Sequence, residues 1–313
     1  MLVLSIATIV FIAYNLTQVV ILHTSNIINR NHMYSKTLGP ENARLLTTLV
    51  SQKHSIFAID DACQILGKSY QATVVLLQRL KKSGWVVGLG AGKYAVVPLD
   101  AGNDAQPGVS PLVIARALIG DAPYYISYES ACGIHQMFPS TNLSVFVTTT
   151  RRIPTRHVLK VSYKFITAKP TSFWGCRLVK VTPEDQVNVS DLERTIVDGL
   201  ARPELCGGLS KVIFGLCNRK NDLDFGKMIT YAKKMGNQAV AKRLGYLLEH
   251  YQLGTPHEIG ELQASIGSSY ILLDPQSQPA GKYTARWRLR LNAEIDDCPV
   301  KETTLPIQVE NLV

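Results

Sequence analysis

The sequence predicts an α+β fold, in which an N-terminal winged helix-turn-helix is followed by a mixed antiparallel-sheet and helical C-terminal domain. Three observations predict it: a helix–turn–helix pattern that ends in a glycine-centred hairpin over residues 57–97, short β-prone runs over residues 143–189, and helical periodicity beyond residue 190. A chain of 313 residues with 46% hydrophobic content is long and apolar enough for two packed domains and a further segment.

Composition divides the chain into four segments. Residues 1–32 form an apolar N-terminal extension, and residues 33–98 are predicted to form the winged helix-turn-helix domain. Residues 99–110 are polar and rich in glycine and proline, which is typical of a linker. Residues 111–313 form the C-terminal domain.

The N-terminal extension admits three interpretations. Residues 1–22 carry no charged side chain and are marginally long enough for a membrane span, although several polar residues dilute them. They lack the basic start of a signal peptide, which weighs against a cleaved leader. The interpretation that we favour is an in-frame extension upstream of a true start at Met33, with a membrane anchor as the alternative.

The first domain shows the elements of a winged helix in order. Gly39-Pro40 opens a helix, because proline suits the first helical position. Residues 57–66 repeat apolar side chains at helical spacing, and Gly67 supplies the left-handed turn that ends this helix. Ser69 is a natural N-cap for a second helix. Two β-prone runs around the Gly90-Ala-Gly92 turn predict a hairpin, the wing.

The second helix of this motif predicts sequence-specific binding to double-stranded DNA. A helix that presents amides enters the major groove, where Gln71 would pair with an adenine edge and Val74 or Val75 would contact a thymine methyl group. Basic side chains on the helix and wing would contact phosphates, which provide affinity without sequence information. A winged helix that contacts only proteins is the alternative. The predicted DNA-binding residues are Lys68, Ser69, Tyr70, Gln71, Val74, Val75, Gln78, Arg79, Lys82 and Lys93.

The charge of the chain favours an anionic partner. The formal net charge is +9, and nucleic acid is the simplest partner for such a protein. No acidic residue lies between Glu129 and Glu184, and strand periodicity places Lys160 and Lys164 on one face of a sheet whose other face is apolar. This face would bind phosphates or an acidic protein, or it is an ordinary solvated face. The second basic surface consists of Arg151, Arg152, Arg156, Lys160, Lys164 and Arg177.

The C-terminal domain combines helices with four short strands. Residues 111–138 show helical periodicity that is interrupted at residues 120–123. Four β-prone runs between residues 143 and 189 predict an antiparallel sheet. Ser190 and Glu193 predict a capping box at the start of the next helix. Three further helices and a closing β-prone segment are predicted at Leu209–Asn218, Phe225–Met235, Gln238–Tyr251 and Tyr270–Leu291.

The chain lacks the residue patterns of an enzyme. Its histidines have no metal-type spacing with cysteines or carboxylates, and it contains no nucleophile elbow, P-loop or kinase signature. His135 is interpreted as a packed helix histidine, and Asp198 has no assigned role. We therefore expect no catalytic residue, metal, cofactor or small-molecule substrate. The six scattered cysteines indicate reduced, mostly buried thiols in a cytoplasmic protein.

Three segments resemble the AbiEi family of antitoxins from type IV toxin–antitoxin systems. The first is Leu38-Gly-Pro-Glu-Asn-Ala-Arg-Leu-Leu46 with the winged helix that follows it, and the second is the segment of residues 123–137. The third and strongest is Val189-Ser-Asp-Leu-Glu-Arg-Thr-Ile-Val-Asp-Gly-Leu-Ala-Arg-Pro-Glu-Leu-Cys-Gly-Gly208. The family typically has a proline before this Glu-Arg-Thr, where the present chain has Asp191-Leu192. The resemblance covers about residues 36–250.

This resemblance implies a two-domain antitoxin that also regulates transcription. Its winged helix would repress its own operon promoter, and its C-terminal domain would counter a cognate nucleotidyltransferase-like toxin without requiring a stable complex. A membrane-anchored winged-helix interaction protein, or a regulator without antitoxin activity, is the alternative. A nucleic-acid-processing enzyme within the second domain is a third hypothesis, which the interval without acidic residues disfavours.

Overall fold

The computed structural model describes residues 38–98, 108–139, 143–295 and Cys298. Within these ranges the chain forms a mixed α+β structure with ten α-helices and three sheets. The apolar N-terminal extension and most of the linker lie outside the described residues, as does the end of the chain. Among the described helices, none has both the length and the apolarity that a membrane crossing needs.

The first unit, residues 38–98, contains three helices and a small antiparallel sheet with the strand order β1-β3-β2. Gly67 ends the second helix with a left-handed backbone (φ 65°), and the Ser69 hydroxyl accepts a hydrogen bond from the backbone N–H of Ala72 at the start of the third, as predicted. The elements are α1 (Pro40–Ser51), β1 (Ile56–Ala58), α2 (Ile59–Leu66), α3 (Tyr70–Lys82), β2 (Val86–Gly90) and β3 (Lys93–Val96).

The second helix starts two residues later than the sequence predicted. Residues Ile56–Ala58 form strand β1, in which Phe57 pairs with Tyr94 of β3. Ala58 has no hydroxyl to cap α2, and the Asp61 carboxylate instead accepts a hydrogen bond from the Ala58 backbone N–H at 2.7 Å. The wrong prediction has a clear cause, because a three-residue strand is too short to show its own periodicity.

The second unit is built around a six-stranded sheet with the order β6-β7-β5-β4-β9-β8. The sheet is mixed, since β4 and β9 are parallel, as are β5 and β7, whereas the sequence predicted an antiparallel sheet. Its central strand β4 falls in a segment that was predicted to be helical. The strands are β4 (Tyr124–Ile126), β5 (Ser144–Thr149), β6 (Arg156–Val158), β7 (Val161–Thr167), β8 (Cys176–Lys180) and β9 (Gln186–Ser190).

Helices cover both faces of this sheet. Ile114 and Ile119 of one helix, α4 (Pro111–Ile119), pack with Val147 and Val189 in a core on the first face. The opposite face carries Phe146, which belongs to the large core of the remaining helices. These helices are α5 (Tyr128–Ile134), α6 (Leu192–Ala201), α7 (Leu209–Asn218), α8 (Phe225–Met235), α9 (Gln238–His250) and α10 (Pro256–Ala264).

The predicted bounds of α7 and α8 are correct, and α9 ends one residue before its predicted end. Helix α10 was missed, although Thr255 and Glu258 form a capping box at its start. The closing segment does return to strand structure and forms a three-stranded sheet with the order β10-β12-β11. Its strands are β10 (Ile271–Leu272), β11 (Lys282–Thr284) and β12 (Leu289–Leu291).

The two units share a hydrophobic core. Leu89 and Ala95 of the β2–β3 hairpin are buried in the same cluster as Ile114 and Ala115 of α4. The hairpin is therefore packed against the second unit on one side by apolar contacts. A fixed orientation between α3 and the second unit follows from this packing.

One pair of cysteines contradicts the expectation of reduced thiols. Cys217 at the end of α7 and Cys298 form a disulfide, with their Cα atoms 5.2 Å apart, and Cys132 and Cys206 are free and buried. The partners are 81 residues apart in the sequence. Sequence spacing could not reveal this pair, because the fold alone brings the two positions together.

Candidate nucleic-acid interface

Helix α3 presents one continuous exposed stripe to solvent. Gln71, Val75, Gln78 and Lys82 follow one another at intervals of four, three and four residues, and all four are exposed. The opposite side of the helix is formed by Thr73, Leu77 and Leu80, which are at most 1% exposed. This burial orients the helix, so that the exposed stripe faces away from the core of the first unit. With 13 residues, α3 is about 20 Å long.

Seven of the ten predicted DNA-binding residues lie exposed on α3 or at its start, and they are Ser69, Tyr70, Gln71, Val75, Gln78, Arg79 and Lys82. Two others are less available. Lys68 is paired with Glu41 of α1 at 2.8 Å, and Val74 is half-buried against the core of the first unit. Val75, not Val74, is therefore the apolar side chain at the centre of the stripe.

Lys93 is directed away from the predicted interface. Its ammonium group donates a hydrogen bond to the carbonyl oxygen of Ala117, at 3.0 Å, in the last turn of α4. A cation is favourable there, because the C-terminal end of a helix carries partial negative charge. The prediction that Lys93 contacts phosphate from the wing is thus corrected, and the lysine instead joins the hairpin to the second unit.

The electrostatic surroundings of α3 favour an anionic partner. The sequence from Ala62 to Leu99 contains no Asp or Glu, and the last turn of α3 carries Arg79, Lys81 and Lys82. All three of these basic residues are exposed. The carboxylate of Glu41 on α1 is paired with Lys68, just before the start of α3. Helix α3 therefore carries several exposed cations and no carboxylate.

The predicted second basic surface is divided among separate places. Arg156 lies on edge strand β6 and Arg177 on the opposite edge strand β8. Five interstrand steps of about 4.8 Å put these edges about 24 Å apart. Lys160 has a left-handed backbone (φ 65°) in the turn between β6 and β7, so it does not share a strand face with Lys164. The prediction of one surface was wrong because it treated the strands that carry these residues as neighbours in the sheet.

Three residues of that set do come together. Arg151, Arg152 and Arg156 line a cavity of about 360 Å³ between the β2–β3 hairpin and the C-terminal end of α4, with Lys93 on the other side. The Arg151 guanidinium donates a hydrogen bond to the carbonyl oxygen of Ile119 at 3.2 Å. Lys93 and Arg151, two of these four cations, therefore have a structural role at the end of α4.

A buried polar network, which sequence reasoning missed, stands at the centre of the second unit. Arg194 and Asp198 of α6 form an ion pair at 2.8 Å and are each 3% exposed. The Arg194 guanidinium also donates hydrogen bonds to the Tyr125 hydroxyl and to the carbonyl oxygens of Ser172 and Trp174. Burial raises the pKa of Asp198, whereas Arg194 opposes that rise. The network joins β4, the segment before β8 and helix α6, and so it gives Asp198 a structural role.

The start of α6 differs from the predicted capping box. Asp191, not Ser190, is the N-cap and accepts a hydrogen bond from the backbone N–H of Arg194 at 2.8 Å. Glu193 turns away from the helix start to bind the ammonium of Lys227 at 2.8 Å. Burial alone would lower the pKa of Lys227, but hydrogen bonds to Glu193 and Asp191 raise it above its ordinary value.

The histidine that the sequence placed in a helix has a structural contact. His135 is buried at the end of α5, and its Nε2 lies 2.7 Å from the carbonyl oxygen of Ser190. Burial lowers the pKa of His135. Within the part of the chain that the structure describes, no group of three or more His, Cys, Asp or Glu residues is arranged to hold a metal ion. The arrangement best suited to a ligand of the predicted class is the exposed stripe of α3.

The sequence matches no family model and no curated protein. The fold, in contrast, has a solved counterpart. It resembles the crystal structure of the RV2827C protein from Mycobacterium tuberculosis. The two structures superpose with a TM-score of 0.60 over 81% of this chain and 92% of that chain, at 16% sequence identity. At this identity the likeness concerns the fold alone.

Proposed function

We propose that this protein is a sequence-specific DNA-binding repressor that regulates its own operon and acts as the antitoxin of a type IV toxin–antitoxin system. In this proposal residues 38–98 are a winged helix-turn-helix, α3 is the recognition helix and the β2–β3 hairpin is the wing. The observation that carries the DNA-binding proposal is the exposed stripe of Gln71, Val75, Gln78 and Lys82 on α3. Duplex DNA with the operon promoter is the partner.

The dimensions and chemistry of α3 support this role. The major groove is about 12 Å wide and admits one α-helix, whose side chains then reach the base edges. A glutamine amide donates to and accepts from adenine in a bidentate pair, and a valine contacts the methyl group of thymine. Arg79 and Lys82 lie one and two turns beyond Val75, where they can meet the phosphates that border the groove.

The DNA-binding proposal predicts different losses for amide and cation variants. Gln71→Ala should weaken binding to the promoter fragment about 5- to 100-fold, because one bidentate base contact is lost, and should leave binding to unrelated duplexes unchanged. Lys82→Ala should weaken binding to every duplex and reduce the salt dependence by about one counterion. Electrophoretic shifts and fluorescence anisotropy at several salt concentrations measure both effects.

Gln276→Ala is the matched control for this experiment, since Gln276 is an exposed glutamine of the second unit. It should bind the promoter like the wild type. Absence of a shift on any fragment upstream of the gene would contradict DNA binding. An equal loss in the Gln71 and Gln276 variants would contradict the assignment of α3 as the recognition helix.

The antitoxin part of the proposal rests on the AbiEi resemblance. It predicts that a nucleotidyltransferase-like protein is encoded next to this gene and stops growth when it is expressed alone. Co-expression of the present chain from an unrelated promoter should restore growth, and so should the Gln71→Ala variant, because neutralisation does not require reading of the operator. Continued growth arrest with the folded protein present would rule out the antitoxin role.

A further inference from the structure

We propose that the outer face of the small sheet β10-β12-β11 binds single-stranded RNA. This face lies in the second unit, beyond the segment that resembles the antitoxin family, and the proposal is independent of DNA binding by α3. Its central residues are Tyr270, Tyr283, Arg288 and Arg290. Two exposed rings interleaved with cations are the chemistry that recognises unpaired bases together with their phosphates.

The strand register and the ring contacts bring these side chains together. Tyr283 of β11 is directly opposite Arg290 of β12, and Leu272 of β10 is opposite the same arginine. Tyr270 and Arg288 lie just before β10 and β12, and side-chain contacts bring them to this face: the Tyr270 ring meets the Tyr283 ring, and the Arg288 guanidinium lies over the Tyr270 ring. The other face is the core side, where Leu289 and Leu273 are completely buried.

Both tyrosines are open to solvent. Tyr283 is 60% exposed and Tyr270 is 42% exposed, and their rings meet edge to face with centroids 5.1 Å apart. The guanidinium of Arg288 lies 5.5 Å from the Tyr270 ring centroid, and that of Arg290 lies 5.2 Å from the Tyr283 centroid. These contacts hold the rings and cations together, so little conformational freedom is lost when a base stacks on them.

Arg290 also has an unused hydrogen-bond donor. Its Nε is buried and has no hydrogen-bond partner among the described residues. A buried polar group without a partner costs free energy, and a water or an ion is among the explanations for such a group. A phosphate or a base carbonyl on this face can approach the same guanidinium.

The charge of the segment is complementary to a nucleic acid. Residues 282–291 contain four basic residues and no acidic residue. One of the four, Arg286, is paired with Glu249 at 2.6 Å, and Glu249 also accepts a hydrogen bond from the buried Trp287. Lys282 precedes Tyr283 by one residue and lies on the other face of β11, which leaves Arg288 and Arg290 as the two cations beside the tyrosines.

Single-stranded RNA is the occupant that this face fits best. In a duplex the bases are stacked on each other, and only their edges are accessible in the grooves. A flat face with exposed rings instead requires bases that are unstacked, and such bases occur in the single-stranded loops and ends of RNA. An acidic protein would use the cations but would gain nothing specific from two exposed tyrosine rings.

The test measures binding of the full chain to a fluorescent single-stranded RNA of about twelve nucleotides, with single-stranded DNA of the same sequence and duplex DNA in parallel. Tyr270→Ala and Tyr283→Ala should each weaken RNA binding about tenfold or more, because base–aromatic stacking is lost. Tyr283→Phe should bind within about twofold of the wild type, since stacking does not need the hydroxyl.

Two control variants distinguish binding at this face from binding at other basic residues. Arg286→Gln removes the same charge from the same segment but outside the face, and it should leave RNA affinity nearly unchanged. Lys82→Ala on α3 should weaken duplex DNA binding and not RNA binding. Thermal melting confirms that the variants at exposed Tyr270 and Tyr283 remain folded.

Three results would overturn the proposal. The first is no RNA binding by the wild type at physiological salt. The second is weakened binding in Arg288→Gln and Arg290→Gln with no effect of either tyrosine variant, which indicates a purely electrostatic surface. The third is binding of single-stranded DNA without binding of RNA. Equal binding of both single strands, lost in the tyrosine variants, supports the face as an RNA-binding platform.

Discussion

Replacing Asp198 with alanine is expected to destabilise the protein by about 3–5 kcal/mol, because it leaves a buried guanidinium without its carboxylate. Both partners of the Arg194–Asp198 pair have side chains that are only 4% exposed, so water cannot replace the lost carboxylate. The same change removes a hydrogen bond to Asp198 from the Tyr125 hydroxyl, which is 3.3 Å away. Such a loss is a large fraction of the stability of an ordinary domain.

The consequence extends beyond the pair itself, because Arg194 organises several elements. Its guanidinium lies 3.7 Å from the centroid of the Trp174 ring, and it donates to the carbonyl oxygens of the segment before β8. Without Asp198 the guanidinium is expected to move toward solvent and to release Trp174. The tryptophan emission should therefore shift to longer wavelength under conditions in which the protein is still folded.

Chemical denaturation of the wild type, Asp198→Ala and Asp198→Asn measures this prediction. The asparagine variant keeps the shape and part of the hydrogen bonding but not the charge, so it should fall between the other two proteins. Glu204→Ala is the control, since the Arg202–Glu204 pair has nearly the same distance, 2.9 Å, but side chains that are 48% and 39% exposed. It should cost less than about 1 kcal/mol. Equal losses for Asp198→Ala and Glu204→Ala would refute the structural role of the buried pair.

Local signals in the sequence predicted those elements whose stability is local. Helix α3 is marked by its Ser69 N-cap and by apolar positions that recur on one face, and both features are present in the structure. The bounds of α7 and α8 also follow from helical periodicity. The turn at Gly67 was predictable because a left-handed residue there favours glycine.

Elements that depend on distant partners could not be predicted in this way. Strand β4 has only three residues, Tyr124–Ile126, and it is a strand because it pairs with β5 and β9 on its two sides. Its tyrosines next to a helical segment suggested a helix instead. The parallel pairing of β4 with β9 joins positions 63 residues apart, Ile126 and Val189, and no local pattern encodes that contact.

The candidate interfaces also differ in whether local sequence or distant contacts determine them. The stripe on α3 was predictable, because all its members are on one helix and their spacing places them together. The second basic surface required knowledge of which strands are neighbours, and the sheet order separates Arg156 from Arg177. Lys93 was misplaced for a related reason, since its partner Ala117 belongs to another unit of the structure.

The buried pair on α6 did leave a signal in the sequence. Arg194 and Asp198 are four residues apart in a helix whose other side chains include Ile196, Val197 and Leu200. A helix this apolar is buried on most sides, and charges within it are then paired with each other. An arginine and a carboxylate at this spacing in an apolar helix therefore indicate an internal ion pair.

Replacing Gly245 with alanine is expected to destabilise the protein by about 2 kcal/mol or more, although alanine is the better helix former. Gly245 lies within α9, where a Cβ atom would overlap the Trp287 ring. That ring is 1% exposed, and its indole N–H donates to the Glu249 carboxylate at 2.6 Å. Trp287 therefore cannot move aside without losing both packing and a hydrogen bond, and this cost exceeds the gain of about 1 kcal/mol in helix propensity.

Gly260→Ala provides a control with the opposite expected sign. Gly260 lies within α10 and is exposed, and no atom approaches the position that its Cβ atom would take. The same substitution there should stabilise the protein by up to about 1 kcal/mol, through helix propensity alone. Denaturant midpoints of the two variants measure the contrast, and stabilisation by both alanines would show that Trp287 does not pack against Gly245. Trp287 lies between β11 and β12 in the sequence. A loss of stability in Gly245→Ala would therefore also show that the contact between Gly245 and Trp287 attaches the small sheet to α9.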